Sequence, residues 1–224
     1  MKVSVIIPTI NEEDAIGDTI NLINRVFRSR RIDYEILVVD TNSTDKTVQI
    51  AKILGAKVIS EPLRGYGRAY KTGFKHAVGE LIATVDADGT YPIKDLANLI
   101  GFLEKNKLDF ISGRRCNLDK SMSLKHRLGN RLITFTANVL FNIRLKDSQS
   151  GMWVFRRGIL NKLRLVNNFW PFSGEIKIEV IKRGFGFKEF PIKYNRRVGE
   201  SKVDSWEVGL QNIIFLFKKF IIYN

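Results

Sequence analysis

The chain has 224 residues, of which 44% are hydrophobic and 27% charged, and Lys plus Arg outnumber Asp plus Glu by 37 to 23, giving a net charge of +14. This length suits one α/β domain, and the composition excludes a disordered chain. No apolar run reaches the roughly eighteen residues that spanning a bilayer requires. The excess of positive charge favours an anionic partner, such as nucleic acid, a phosphorylated small molecule or a membrane surface.

The cysteine and histidine content narrows the class of protein further. A single cysteine, Cys116, and two histidines exclude a disulfide framework and a Cys/His zinc site. The apolar stretch at residues 3–7 is too short for a secretory signal. We therefore expect a protein of the reducing cytoplasm that is neither exported nor membrane-spanning.

The first half of the chain alternates short β-branched runs with helical patterns. Strands are predicted at residues 3–7, 35–39, 57–60, 81–85 and 110–112, and helices at residues 12–27, 44–54, 68–77 and 93–105. Ser43 or Thr44 is expected to cap the second helix. The alternation predicts an α/β fold whose mostly parallel sheet has helices on both faces.

The second half begins with a basic, apolar-rich helical stretch at residues 122–144. A strand ending at residue 155, a helix at 174–182 and a strand at 187–192 follow. The tail, residues 206–223, is predicted to be an amphipathic helix whose apolar side is interrupted by Lys218 and Lys219. We divide the chain into a domain of residues 1–203 and a C-terminal helix within residues 204–224.

Polar loops follow three of the predicted strands, at residues 8–12, 40–43 and 86–88. In a parallel α/β sheet, ligands bind at the carboxyl ends of the strands, so these loops are expected to converge on one crevice. In the third loop, Asp86 and Asp88 would lie on the same side of an extended chain. Two such carboxylates suit Mg²⁺ or Mn²⁺, although Asp-Gly is also a common turn dipeptide.

Glycine and arginine clusters supply candidate phosphate contacts. Gly65 and Gly67 could let backbone amides approach a phosphate, or could be plain turn residues. Tyr70 stands where a dinucleotide fingerprint needs its third glycine. Two basic loops are predicted, at residues 114–115 and 195–202. Either could be solvated surface, but beside a metal-carboxylate site arginines favour a phosphate clamp.

These motifs, in this order and spacing, resemble family 2 glycosyltransferases of the dolichyl-phosphate mannosyltransferase and polyprenyl-phosphate hexose synthase type. The resemblance extends to about residue 216 and is carried by seven stretches: residues 4–12, 35–40, 65–69, 86–88, 112–114, 147–151 and 196–202.

The resemblance implies a GT-A fold for residues 1–203 and an inverting transfer of a sugar from a nucleotide diphosphate to a polyprenol phosphate. The nucleoside would be held by Pro8, Glu12, Val38 and Asp40. The diphosphate would be held, through Mg²⁺ or Mn²⁺, by Asp86, Ala87 and Asp88. The phosphate-contacting positions would be Arg114, Arg196 and Lys202, so that Asp88, Arg114 and Arg196 are the candidate catalytic residues.

The sequence departs from the family pattern at Ile10, at Thr41 and at Gly89-Thr90. Thr90 stands in place of a further metal ligand and is a candidate for that role through its hydroxyl or a water. The stretch at residues 86–91 also resembles archaeal members of the family that use UDP-sugars. The resemblance therefore leaves two donors as alternatives, GDP-mannose and a UDP-sugar.

The acceptor distinguishes two functions. A phosphate acceptor is already largely ionised at neutral pH and needs little help from a general base, whereas a saccharide or protein hydroxyl, as in cell-surface glycan synthesis, would need one. Asp147 and Glu175 are the candidates for that base, and Asp147 could equally cap a turn. A basic nucleic-acid-binding module is the distant alternative, since no RNA-binding signature is present.

A polyprenol acceptor implies contact with a membrane. The basic helical stretch and the tail could lie in the interface on the cytoplasmic face, or could pack on the domain or on a partner such as an anchoring subunit.

Overall fold

Strand β1 (Lys2–Thr9) lies inside the sheet, and every residue from 3 to 7 is buried. Such continuous burial is typical of a strand covered on both faces. The structure is a computed structural model that describes residues 1–116, 122–198 and 205–223. Its other described strands are β2 (Asp33–Asp40), β3 (Lys57–Ser60), β4 (Leu81–Thr84), β5 (Phe110–Cys116), β6 (Trp153–Arg156) and β7 (Phe187–Lys193).

The helices cover both faces of this sheet. They are α1 (Glu13–Ser29), α2 (Thr47–Ile53), α3 (Tyr66–His76), α4 (Ile93–Lys105), α5 (Leu124–Phe141), α6 (Phe172–Lys182) and α7 (Ser205–Tyr223), with a short 3-10 helix at Arg157–Lys162. Side chains alternate along β1, so that Val5 and Ile7 pack in the core that includes α1 and α4, and Ile6 packs in the core that includes α3 and α6.

The strand order over the described residues is β3-β2-β1-β4-β6-β5-β7. β1 runs parallel to β2 and β4, β2 runs parallel to β3, and β5 runs parallel to β7. β6 is antiparallel to both of its neighbours, β4 and β5. The prediction of a mostly parallel sheet between helices is confirmed, and the reversed strand β6 is the feature that the alternation of elements does not predict.

The second helix starts later than predicted. The predicted caps Ser43 and Thr44 lie outside α2, which begins at Thr47. The hydroxyl of Ser43 donates instead to Asp40 at 2.5 Å, and the Thr44 amide donates to Asn11 at 2.7 Å. The contact between Thr44 and Asn11 joins the loop before α2 to the loop after β1. The first amide of α2, that of Thr47, donates instead to the Asp45 side chain at 2.9 Å.

Strand β5 is longer than predicted, which corrects the placement of two arginines. Arg114 and Arg115 belong to the strand, opposite Pro191 and Ile192 of β7, and do not form a loop after it. Because side chains alternate along a strand, the two guanidinium groups leave the sheet on opposite faces. Adjacent arginines therefore have different surroundings.

The C-terminal helix α7 packs against α5 and α6 through Leu216, Ile213 and Phe220. Lys219, which interrupts the apolar side in the sequence, is buried and bridges Glu175 at 3.0 Å and Glu179 at 2.8 Å. Lys218 beside it is exposed. Thus the lysine that interrupts the apolar side of α7 forms buried ion pairs that fix the helix to the domain. None of the described helices is both long and apolar enough to span a bilayer.

Replacing Lys219 should therefore destabilise the protein strongly. Lys219→Ala leaves the buried Glu175 without its ion-pair partner and leaves Glu179 with Arg183 alone, so the free energy of unfolding should fall by about 3 kcal/mol or more. Urea denaturation followed by circular dichroism measures the change. Lys218→Ala, the adjacent exposed lysine, is the control and should stay within about 0.5 kcal/mol of the wild type. Equal effects of the two variants would contradict the structure.

Candidate functional site

The loops after β1 and β2 are joined by hydrogen bonds at the carboxyl edge of the sheet. The Asn11 amide donates to the Ser43 hydroxyl at 2.8 Å, and the Glu12 amide donates to the Thr47 hydroxyl at 2.8 Å. Asn11 has a φ of 50°, a left-handed conformation that asparagine tolerates better than most residues. This turn brings Glu12 to the edge of the crevice.

The third loop carries the two aspartates. β4 ends at Thr84, one residue before its predicted end. Asp86 follows it in irregular structure and Asp88 lies in a turn, where an extended chain was predicted. The Thr19 hydroxyl of α1 donates to the Ala87 carbonyl at 2.9 Å and anchors this turn beside the first loop. The predicted convergence of the three loops is thus observed. The turn interpretation of the pair is confirmed for Asp88, and the metal-site interpretation stays a prediction.

Asp88 is held by groups on both of its oxygens. Oδ1 accepts from the amide and the hydroxyl of Thr90, at 3.0 and 2.6 Å. Oδ2 forms an ion pair with Arg197 at 2.8 Å, and the same guanidinium reaches Glu12 at 2.7 Å. Arg197 therefore joins the first loop to the third, a role that the sequence did not assign to it.

Asp86 has less compensation for its charge. Its carboxylate accepts from the Tyr70 hydroxyl at 3.3 Å. Burial, and then the nearby charge of Asp88, raise the pKa of Asp86 to about 7. A carboxylate whose charge is this poorly compensated is suited to receiving a cation.

The donor set fits a hard divalent cation. Asp86 and Asp88 supply carboxylate oxygens, which Mg²⁺ and Mn²⁺ prefer. Across the described residues, no three His, Cys, Asp or Glu side chains gather as a ready-made metal site. This fits an ion that takes one or two carboxylates and completes its shell with water and substrate phosphates. The assignment of Thr90 as a ligand stays a prediction, and the structure shows its hydroxyl directed at Asp88.

A buried charged cluster supports the other side of the crevice. Arg115 forms a bidentate pair with Asp147, with both guanidinium contacts at 2.8 Å. Lys177 of α6 donates to the carbonyls of Asp147, Ser148 and Ser150 at 2.9 to 3.0 Å. Burial would raise the pKa of Asp147, but Arg115 outweighs it and holds the pKa at about 2. Asp147 therefore acts as a structural anion.

Tyrosine hydroxyls complete the wall next to Asp86. The Tyr91 hydroxyl accepts from the Gly151 amide at 2.7 Å, and the Tyr66 hydroxyl lies so close to Gly151 that a Cβ there would collide with it. The Tyr66 ring stacks on Trp170 at 4.7 Å. Burial raises the pKa of Tyr66 and Tyr91 well above the ordinary value, so both hydroxyls stay protonated.

The glycines before α3 are explained by packing. A Cβ on Gly67 would lie 2.7 Å from Phe172, and Gly65 has a φ of 149°. Both positions lie against the segment 167–172, so close packing accounts for these glycines without a phosphate.

The residues predicted to hold the nucleoside occupy different environments. Val38 packs in the hydrophobic core, as does Ala87 of the set predicted to hold the diphosphate, so only the backbone of these two residues faces the crevice edge. Asp40 is buried and accepts from Ser43 and Thr9, and Pro8 is partly buried at the end of β1. Only Glu12 of this set joins Asp88, through Arg197.

The predicted phosphate contacts are only partly described. Arg196 is exposed, and the neighbouring Arg197 makes the carboxylate contacts. Arg114 is partly buried on β5 and leaves the sheet on the face opposite to Arg115. Lys202 lies outside the described residues. The roles of these three residues stay predictions.

The sequence profile of Glycosyl transferase family 2 matches residues 4–164, which span β1 to the end of the 3-10 helix and include both site aspartates. The chain belongs to glycosyl transferase family 2. The glycosyltransferase activity that the motifs predicted is confirmed at the level of the family.

Two relatives of this glycosyltransferase come from Haloferax volcanii. A low-salt glycan biosynthesis hexosyltransferase, Agl6, is 34% identical over 217 residues, which are 95% of this chain and 52% of that protein. The chain thus spans about half the length of that relative. A dolichyl-phosphate hexose transferase is 32% identical over 207 residues, covering 92% of this chain and 88% of its own length.

Solved structures confirm the predicted GT-A fold. Glucosyl-3-phosphoglycerate synthase from Mycobacterium tuberculosis, crystallised with phosphoglyceric acid, superposes with a TM-score of 0.80 over 97% of this chain and 79% of its own, at 20% identity. The same protein crystallised with Mn²⁺, uridine diphosphate and glucosyl-3-phosphoglycerate has a TM-score of 0.76 over 98% of this chain and 79% of its own, at 19% identity.

The raised pKa of Asp86 predicts a pH-dependent stability. Because the fold raises this pKa above its ordinary value of 3.8, ionisation of Asp86 lowers the free energy of unfolding as the pH rises from about 4 through about 7. With EDTA present, Asp86→Asn should be more stable than the wild type near pH 8 and equally stable near pH 4. Urea denaturation at both pH values measures this. Asp18→Asn, an exposed control on α1, should show no such difference, and a loss of stability in Asp86→Asn near pH 8 would contradict the assignment.

Proposed function

We propose that this glycosyltransferase moves a hexosyl group from a nucleotide-diphosphate sugar, GDP-mannose or a UDP-sugar, to dolichyl or another polyprenyl phosphate, with inversion at the anomeric carbon. The Haloferax dolichyl-phosphate hexose transferase supports this, since the two chains align over most of both lengths. The alternative is transfer to a saccharide or protein hydroxyl.

The surroundings of Asp147 and Glu175 favour a phosphate acceptor. A hydroxyl acceptor needs a general base, and these two carboxylates are the candidates that the sequence offers. Asp147 is paired with Arg115. Glu175 is fully buried and accepts from Lys219 and from the amides of Val166 and Asn167. Both carboxylates are thus committed to partners within the fold, whereas a phosphate acceptor needs little help from a general base.

Asp86 and Asp88 would hold Mg²⁺ or Mn²⁺. The bound ion would neutralise the negative charge that develops on the leaving diphosphate. Mn²⁺ and Mg²⁺ in the structural relatives support this choice of ion. The turn anchored by Thr19 and Thr90 sets the position of the two carboxylates. Tyr70 and Tyr91, protonated and buried, orient Asp86 and the Gly151 backbone beside them.

The acceptor phosphate and the donor diphosphate repel each other, so cations must hold them together. Arg114, Arg196 and Lys202 are the proposed contacts, as the family resemblance implies. Arg115 has a different task, because its guanidinium is committed to Asp147.

A membrane-bound acceptor requires a membrane-facing surface, and α5 and α7 provide one. On each helix, five of the exposed large apolar side chains follow the same helical spacing, and the two helices pack on each other. These side chains are Leu124, Leu128, Leu132, Phe135 and Val139 on α5, and Trp206, Leu210, Ile214, Phe217 and Ile221 on α7.

The charges beside this apolar surface match anionic lipid. α5 contains no Asp or Glu and exposes Lys125, His126 and Arg131. Basic groups flanking an apolar helix face are typical of interfacial helices. We therefore propose that the enzyme acts peripherally on the cytoplasmic face of a membrane, with α5 and α7 in the interface or against an anchoring subunit.

Loss of a site carboxylate should abolish transfer. Asp88→Asn should lower the transfer of label from a nucleotide sugar to dolichyl phosphate on the order of 10²-fold to 10³-fold or more, because the charge that holds the cation is lost. The folded circular dichroism spectrum should be retained. Asp18→Asn serves as the control for a surface aspartate. Dolichol without its phosphate should accept no label, and transfer to it or to a saccharide hydroxyl would favour the alternative function.

Membrane binding should depend on the exposed apolar side chains of α5 and α7. The double variant Phe135→Ser with Phe217→Ser should float less with vesicles of anionic lipid, because two large contacts with the bilayer are removed. Ile53→Ser, at an equally exposed position on α2, should float like the wild type. Unchanged flotation of the double variant would leave this surface to a protein partner.

A further inference from the structure

Arg197 occupies the position of a counter-cation at the proposed metal site. Its two terminal nitrogens contact different carboxylates, Nη1 to Asp88 at 2.8 Å and Nη2 to Glu12 at 2.7 Å. The side chains of Asp88 and Glu12 are 7% and 11% exposed. At this degree of burial an uncompensated pair of like charges is costly, so the guanidinium stabilises the ligand-free arrangement.

The backbone places Arg197 there. The Asn195 amide donates to the Thr90 carbonyl at 2.9 Å, and the Val198 amide donates to the Asp88 carbonyl at 3.0 Å. These two bonds fix the chain on both sides of Arg197 against the turn that carries Asp88. The side chain itself is 30% exposed, so it has room to move while its backbone stays.

The contact is also incomplete. The Nε of Arg197 is buried and has no hydrogen-bond partner, which disfavours this side-chain position. A divalent ion at Asp88 would lie within a few ångströms of the guanidinium, and two cations that close repel each other. The carboxylate oxygen that Arg197 contacts therefore cannot serve both cations well.

We propose that Arg197 is the internal counter-cation of the metal site in the donor-free protein, and that it exchanges Asp88 for the donor diphosphate when metal and donor bind together. This rests on the nucleotide-diphosphate donor of the proposed function. The exchange makes the diphosphate a condition for tight metal binding, because only the diphosphate gives the displaced guanidinium a new anion.

Binding measurements on the whole protein test the exchange without an activity assay. The affinity for Mn²⁺ alone is measured by counting free Mn²⁺ with electron paramagnetic resonance, and the affinities for UDP and GDP at saturating Mn²⁺ are measured by calorimetry. Arg197→Gln should bind Mn²⁺ alone about tenfold more tightly and the nucleotide about tenfold more weakly. Arg197→Lys keeps the charge without the fork and should lie between Arg197→Gln and the wild type.

Opposite changes in the two affinities distinguish exchange from a merely structural role, which would weaken both. Lys94→Gln, an exposed lysine on α4, controls for the loss of one positive charge and should change neither affinity. In a folded Arg197→Gln or Arg197→Lys variant, any other combination of changes would overturn the inference. A wild type that binds neither nucleotide would overturn the proposed donor as well, whereas normal nucleotide binding with unchanged Mn²⁺ affinity in the variants would overturn the inference alone.

Discussion

The bidentate ion pair between Arg115 and Asp147 fixes the loop on which one side of the site is built. Asp147 begins a turn whose carbonyls receive the buried ammonium of Lys177, and that turn delivers Gly151 to the tyrosine wall. Without the guanidinium, a buried carboxylate would be left uncompensated at the end of β5. The geometry next to Asp86 therefore depends on a pair of charges that does not itself take part in the proposed reaction.

The balance of charge differs between the surface and the site. The chain as a whole is strongly basic, yet Arg197 joins two carboxylates of the crevice, Glu12 and Asp88, and the charge of Asp88 lies near the buried Asp86. This local excess of negative charge is what a divalent cation would neutralise. The exposed basic groups of α5 lie elsewhere and suit anionic lipid, so in the proposed function the two kinds of charge would serve the donor and the lipid acceptor separately.

A chain of contacts also links α7 to the crevice. Lys219 binds Glu175, which accepts from the amides of Val166 and Asn167, and the Asn168 carbonyl next along the chain accepts from the Arg68 amide at the start of α3. The helix proposed to meet the membrane thus braces the segment that packs against Tyr66. This gives the ion pair of α7 a second consequence beyond stability.

The sequence by itself determined the α/β alternation, the convergence of three polar loops and the family. This was possible because the spacing of apolar residues and the polar residues after each strand are local properties of the chain. It also singled out Asp86 and Asp88 as metal ligands, a role that stays a prediction. It did not assign to Arg197 the contact with Asp88, which forms because the backbone of Asn195 and Val198 pairs with the turn that carries Asp88. Nor could it show that Asp147 pairs with Arg115 or that Glu175 pairs with Lys219. The partners lie 32 and 44 residues apart in sequence, and they meet only when the helices and strands pack.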